Sequence, residues 1–434
     1  MNGQIYKKRR DLLCKSIQDN SIVIMQSQKE KIRNNDVNYA YRQCSNFFYL
    51  TGYNEPSTIL LLKKSRGKII SYFYSRKPNK LATLWTGTVD SANKLKKQLL
   101  VDKCQYLDKF DKDISSFLEN SQNIYYSYSD DSDIKKIIEK NVSDIEKKYR
   151  KGINCPTNFI SLKKILHSMR IIKSKQEISA IKNACKISVN AHKRLMKKCR
   201  PMMYEYEIHA ELLHEFIKSK SNEAYPSIVA GGKNACILHY TDNQSILRNG
   251  DLLLVDAAAE YENYASDITR TIPINGKFTK HQKIIYEIVL KAQKNAIKKC
   301  LIGNSLYDVH TEAIKTITKG LIEIGFIKNR LPKAIQEQEY KKFYMHNTGH
   351  WLGLDVHDPC EYKENGKFIK LKEGMIFTVE PGIYVRKLKG ISSKFHGIGI
   401  RIEDDILITR TGPKILTSEL PKEITDIEKI MKND

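Results

Sequence analysis

Gly250-Asp-Leu-Leu-Leu-Val-Asp256 and Gly374-Met-Ile-Phe-Thr-Val-Glu380 follow one pattern: a glycine, a mostly apolar run, then an acid. An apolar strand ending in a carboxylate, present twice in one chain, points to two related halves that present acids to a shared site. A carboxylate in such a place is costly unless it is paired or bound to a cation.

Two further acids extend the pattern. Asp267 lies in Asp267-Ile-Thr-Arg-Thr271, beyond a turn at Glu260–Tyr264 that returns the chain beside Asp256. In Arg401-Ile-Glu403, strand alternation puts Arg401 and Glu403 on one face and Ile400 and Ile402 on the other. Glu380 precedes Pro381-Gly382 and ends its strand where a ligand could project. Any one of these acids also reads as a strand-end carboxylate in a salt bridge. Taken together, Asp256, Asp267, Glu380 and Glu403 point to a divalent cation, because neighbouring carboxylates repel unless positive charge lies between them.

Histidines cluster in the same half of the chain. His346, His350 and His357 fall within twelve residues, with Gly349 and Gly353 between them to allow close backbone approach. His239 stands alone in the apolar stretch Ile237-Leu-His-Tyr240, where a satisfied core histidine is the plain alternative. His209 and His214 resemble a zinc-protease helix, but a spacing of five places them on opposite faces. Gly231-Gly232 lacks the lysine and serine of a phosphate loop, and no G-x-S-x-G elbow is present.

The 434 residues allow two or three domains. From Ser21 to Tyr74 the chain reads as short strands, with a hairpin turning at Gly67 between Ile59–Leu62 and Lys68–Tyr74. Helix-prone stretches follow to Arg150, so residues 1–165 read as a compact α/β unit with a seam near Lys151–Ser161. Residues 166–434 mix helices with hairpin-type strands at Leu252–Ala257, Ile268–Ile274, Met375–Val379 and Ile398–Ile408, an α+β pattern. Ser174-Lys-Gln-Glu177 has the form of a capping box, and Lys280–Lys299 is apolar at helical spacing.

A net charge of +25 invites a nucleic-acid reading. The charge is spread, however, with +14 in residues 1–165 and +11 in residues 166–434, in lysine doublets rather than an arm or tail. A solvated basic surface is the reading adopted, and no nucleic-acid partner is expected. Nine scattered cysteines without a C-x-x-C pair suggest reduced thiols. No apolar run reaches the ~18 residues of a membrane span, and the basic N-terminus has no apolar segment after it. The expected location is the cytoplasm, with no membrane association.

The motifs Leu238-His-Tyr-Thr-Asp242, Val255-Asp-Ala257, Asp267-Ile-Thr-Arg270, Gly349-His-Trp-Leu-Gly-Leu-Asp-Val-His-Asp358, Thr378-Val-Glu-Pro-Gly382 and Gly399-Ile-Arg-Ile-Glu-Asp-Asp405 resemble those of the aminopeptidase P family, the Xaa-Pro aminopeptidases among the pita-bread (M24) metallopeptidases. Tyr41-Arg-Gln43, Phe48-Tyr-Leu-Thr-Gly52 and Glu55-Pro56 are similar to the bacterial type, so the likeness spans nearly the whole chain. It implies a pita-bread C-terminal domain with pseudo-twofold halves after a smaller α/β domain.

The resemblance further implies two divalent ions, manganese being the expected metal. Asp256 would chelate one, Asp267 and Glu403 would bridge both, and His350 and Glu380 would hold the second. His239, His346 and His357 match histidines that face substrate and stabilise its tetrahedral intermediate. Arg401 matches an arginine that steadies the acids, and Tyr384 a tyrosine of the site. Asn347-Thr348 and Ala257-Ala-Ala259 depart from residues the family often carries.

The implied reaction is hydrolysis of the N-terminal Xaa-Pro bond of peptides, with a metal-bridging hydroxide as nucleophile and Glu380 shuttling the proton. An Xaa-Pro dipeptidase is the alternative, and a non-catalytic peptide-binding module of the same fold is a third reading. The resemblance implies a homodimer or homotetramer; apart from it, the basic stretch around Arg170 is read as lying near that interface.

Overall fold

A computed structural model describes residues 3–127 and 133–432. Contacts divide the chain into two compact units, Met1–Met169 and Arg170–Asp434.

In the first unit, Ser21–Gln26 (β1), Ile59–Ser65 (β2), Lys68–Ser75 (β3), Lys103–Tyr106 (β4), Asn123–Tyr126 (β5) and Asn158–Ser161 (β6) form one mixed sheet in the order β4-β3-β2-β1-β5-β6. The antiparallel β2–β3 hairpin closes through Arg66 and Gly67, both at positive φ, as a two-residue turn requires. Alternate residues of these strands, including Ile22, Ile24, Ile59, Leu61, Tyr72 and Tyr74, pack with Phe110, Ile114 and Phe117 of the helix Leu107–Leu118. The Gly/Pro-marked stretch 151–161 is not a free seam, because its last four residues pair in parallel with β5.

The second unit repeats one plan. Lys175–Lys198 (α1) packs with Glu205–Lys218 (α2), and the chain then forms Ile228–Gly231 (β7), Leu252–Asp256 (β8) and Thr269–Pro273 (β9), a three-stranded antiparallel sheet. Lys280–Lys298 (α3) packs with Leu306–Glu323 (α4) and leads to Ile376–Val379 (β10), which pairs with Asp404–Thr409 (β13). Between them, Gly382–Val385 (β11) pairs with Ile398–Arg401 (β12). Both leading helices begin with a capping box, Ser174 with Glu177 and Thr279 with Gln282. The echoed segments thus occupy equivalent places, with Asp256 ending β8 and Glu380 directly following β10.

The run Ile398–Ile408, expected as one strand, is two. Its first part pairs with β11 and its second with β10, and both ladders break at one corner, where Glu380-Pro381 faces Ile402-Glu403. Proline has no N–H to continue a ladder. There the Ile402 amide donates to Pro381 O at 3.3 Å, and the Glu403 amide crosses to Thr269 O of the first half at 3.1 Å. This break carries Glu403 between the halves. Among the described residues, no helix is long and apolar enough to cross a membrane.

Candidate metal centre

Asp256, Asp267, His350, Glu380 and Glu403 meet in one cavity of about 570 Å³, whose lining also includes His239, His346, His357 and Arg401. Donor atoms of Asp267, His350 and Glu403 lie within 4.8 Å of one another. His350 Nε2 is 3.3 Å from Asp267 Oδ2 and 3.6 Å from Glu380 Oε1. Its other nitrogen, Nδ1, lies 3.1 Å from the Trp351 carbonyl, which can only accept. Nδ1 therefore carries a proton, and Nε2, turned towards the carboxylates, is the nitrogen left for a metal to take in exchange for its proton.

The charges fit a cation too. Burial pushes Asp256 up, against Arg401, and raises Glu403 well above the ordinary carboxylate range with added repulsion from Asp267, Glu380 and Asp256. Burial likewise takes Glu380 to about 7 although His350 and Arg401 oppose it. Burial alone would lower His350, but Asp267 and Glu380 draw it up to about 9. Four crowded acids against one guanidinium call for further positive charge, and an oxygen-rich donor set with one imidazole suits a hard or borderline divalent ion.

Arg401 organises the floor. It contacts Asp256 through Nη2, donates from Nη1 to the Tyr384 hydroxyl at 2.9 Å, and from Nε to Thr269 Oγ1 at 3.0 Å. Thr269 in turn donates to Glu403 Oε2 at 2.7 Å. Tyr384 is fully buried beneath the cavity rather than in its lining, with its hydroxyl 2.8 Å from His346 Nε2. Burial and Arg401 lower His346 to about 3, so it is neutral. The His357 ring stacks edge-on to His350 at 4.3 Å, and burial and then His350 lower its pKa.

Several residues carried no sequence signal. The Tyr225 hydroxyl lies 2.7 Å from Asp256 Oδ1 and 2.5 Å from Asp267 Oδ1, a contact made only because Ile228 pairs opposite Asp256. Glu205 is fully buried and accepts from the amides of Gly231 and Ser245, from Asn234 and from Tyr240, stapling the loop that presents His239. Arg270, buried within β9, pairs with Asp404 at 2.7 Å.

His209 lies on α2 with its Nε2 2.8 Å from Glu223, outside the cavity lining. Arg170 opens the second unit and is paired within it. It is buried, bonded to Asp355 at 2.7 Å and to Asp358, which Lys173 also reaches at 3.1 Å.

This pair of cations ties down the loop that carries His350 and His357. Burial by itself would raise Asp358, yet Lys173 and Arg170 hold it at about 2. In the unfolded chain an aspartate titrates near ~3.9, so the ionised form contributes about 2–3 kcal/mol of stability above that pH. This contribution is lost as pH falls from about 4 through about 2. Urea titrations across that window should therefore show a shallower loss of stability in Asp358→Asn than in the wild type; equal slopes would refute the assignment.

Residues 179–410 match metallopeptidase family M24, and residues 6–125 match the aminopeptidase P N-terminal domain. The Xaa-Pro aminopeptidase of Haemophilus influenzae is 41% identical over 98% of this chain and 96% of its own length. The solved aminopeptidase of Pseudomonas aeruginosa superposes with a TM-score of 0.97 at 38% identity, covering 100% of this chain and 98% of that one. Aminopeptidase P from Escherichia coli, solved with the inhibitor Pro-Leu, gives 0.96 at 36% identity over 100% and 98%. With its acids and histidine gathered on one cavity floor, and with both domains matched in order, the chain belongs to metallopeptidase family M24, in the branch that carries the aminopeptidase P N-terminal domain.

Proposed function

We propose that this chain is a two-metal aminopeptidase releasing the first residue of peptides with proline second, and that its native ions are manganese. The observation that carries the reading is the convergence of Asp267, His350 and Glu403 on the floor of a peptide-sized cavity. Asp256 would hold one ion, His350 and Glu380 the other, with Asp267 and Glu403 shared. When bound, such ions supply Lewis acidity and an activated water at neutral pH.

The chain's own groups do the rest. Arg401 and Thr269 fix the orientation of Asp256 and Glu403 before substrate arrives. His239 and His357, on the cavity wall, offer imidazole N–H groups to the developing oxyanion. His346 already binds Tyr384 through Nε2, and its Nδ1 donates to Asn347 O at 2.8 Å, so it sets the wall's shape in this arrangement. Glu380 carries the proton towards the prolyl nitrogen. Pro226, Ile228, Leu238 and Val356 supply apolar wall for a ring whose nitrogen has no hydrogen to donate.

Residues 166–434 carry every group named, and residues 1–165 form the accompanying domain. Nine free cysteines support a reducing compartment, the cytoplasm. A homodimer or homotetramer rests on the family resemblance alone. Metal analysis coupled to assays of Xaa-Pro-Yaa peptides tests the proposal. Two ions per chain and manganese-dependent release of Xaa are expected. Turnover of Xaa-Pro dipeptides alone would make the chain a dipeptidase, and metal binding without turnover would make it a peptide-binding module.

A further inference from the structure

We propose that His310, on α4, is a positioning residue for the metal centre and acts through Thr348; this rests on the reading that His350 and Glu380 hold an ion. The Thr348 amide lies 3.2 Å from His310 Nδ1. A backbone N–H can only donate, so Nδ1 accepts and the imidazole is neutral with its proton on Nε2. The Thr348 hydroxyl is 2.7 Å from the same Nδ1 and 2.6 Å from the Tyr344 hydroxyl. Since Nδ1 accepts, the polarity is set: Tyr344 donates to Thr348, and Thr348 donates to His310. Burial, with Lys341 adding to it, lowers the His310 pKa and keeps this neutral form.

Thr348 is fully buried, and its backbone faces the site. Its carbonyl accepts from the Glu380 amide at 2.8 Å. Two residues on, the His350 carbonyl accepts from the Thr378 amide at 3.0 Å, and the His350 amide donates to Thr378 Oγ1 at 3.1 Å. Between them Gly349 has no room for a side chain, since a Cβ there would stand 1.9 Å from Thr378 O. Thr348–His350 is thus laid flat against Thr378–Glu380, and this short ladder sets the 3.6 Å between His350 Nε2 and Glu380 Oε1. Metal ligands must be held to within about 0.5 Å, and the His310–Thr348–Tyr344 unit anchors the ladder from its far side. A role limited to satisfying buried polar groups would affect stability and leave metal affinity unchanged.

The test uses the full chain as His310→Leu, His310→Asn, Thr348→Val and Thr348→Ser. Manganese affinity is read by calorimetry, kcat and KM on an Xaa-Pro-Yaa peptide, and Glu380 amide exchange on metal-stripped protein. His310→Leu and the near-isosteric Thr348→Val should each lose about tenfold in manganese affinity and in kcat, with KM little changed, the usual scale for a group supporting a ligand. Exchange at Glu380 should quicken in both. His310→Asn keeps an acceptor at the Nδ1 position and Thr348→Ser keeps the hydroxyl, so both should recover most of the loss. The double variant His310→Leu/Thr348→Val should be no worse than the weaker single one. Unchanged affinity and exchange in His310→Leu, or equal impairment in His310→Asn, would overturn the anchor. Faster exchange in His310→Leu beside a wild type that binds no manganese would support the anchor and sink the metal assignment instead.

Discussion

Replacing Asp267 by alanine is expected to abolish metal-dependent release of the N-terminal residue, lowering kcat/KM by at least about 10³-fold, since several kcal/mol of charge stabilisation is removed at ~1.36 kcal/mol per tenfold. Asp267 is buried at the centre of the acid group. One oxygen lies 2.5 Å from Tyr225 and the other 3.3 Å from His350, while its amide donates to Asp405 at 3.0 Å. No other acid in the cavity reaches the histidine so closely.

The same substitution should not destabilise the metal-free fold. Asp267 repels Asp256, Glu380 and Glu403, and relief of that repulsion is expected to match the loss of its pairing with His350 and its bond from Tyr225. Kinetics with added manganese and melting of the metal-stripped protein check the two halves separately. Turnover at the wild-type rate would refute the metal mechanism, and a clear fall in Tm would refute the repulsion.

Asp404→Ala should have the opposite profile, a large loss of stability. Asp404 is wholly buried, and its two oxygens accept from Arg270 and Thr417 at 2.7 Å each, from Gln293 at 2.7 Å and from Lys422 at 2.6 Å. Burial alone would raise it, but Arg270 and Lys422 hold it far below the usual carboxylate range. Alanine leaves two cations without their carboxylate, and breaking a buried pair in this way costs about 3–5 kcal/mol. For a unit of this size that is a fall in Tm on the order of 10 °C. Arg270 also donates to the Glu403 carbonyl at 2.5 Å, so metal affinity should fall with it. A loss below about 1 kcal/mol in metal-free melts would show that the network is dispensable.

These two neighbours, Asp404 and Glu403, show how far a linear reading reaches. Alternation in Arg401-Ile-Glu403 places both charged side chains on one face, and they do meet in one network through Thr269. Alternation does not reveal the strand break at Ile402-Glu403, because apolar runs look the same whether they join one sheet or two. Tyr225, Thr269 and Thr378 were silent for a related reason. Hydroxyl residues are common, and only the pairing of distant strands shows which ones touch an acid.

What the amino-acid sequence determined alone was the set of local facts: the echoed strands ending in Asp256 and Glu380, the capping box that begins α1, the helical periodicity of α3, the hairpin at Gly67, and the acids too costly to bury without a cation. These follow from periodicity, backbone chemistry and charge, which act over a few residues. The tertiary structure decided what depends on distance between remote segments. It turned His350 Nε2 towards the acids, set Tyr384 beneath the floor instead of in it, and buried Arg170 against Asp358. A net charge of +25 foretold none of this, because a site is defined by which few charges are brought within about 4 Å, where their interaction is strong, and the remainder are screened by water.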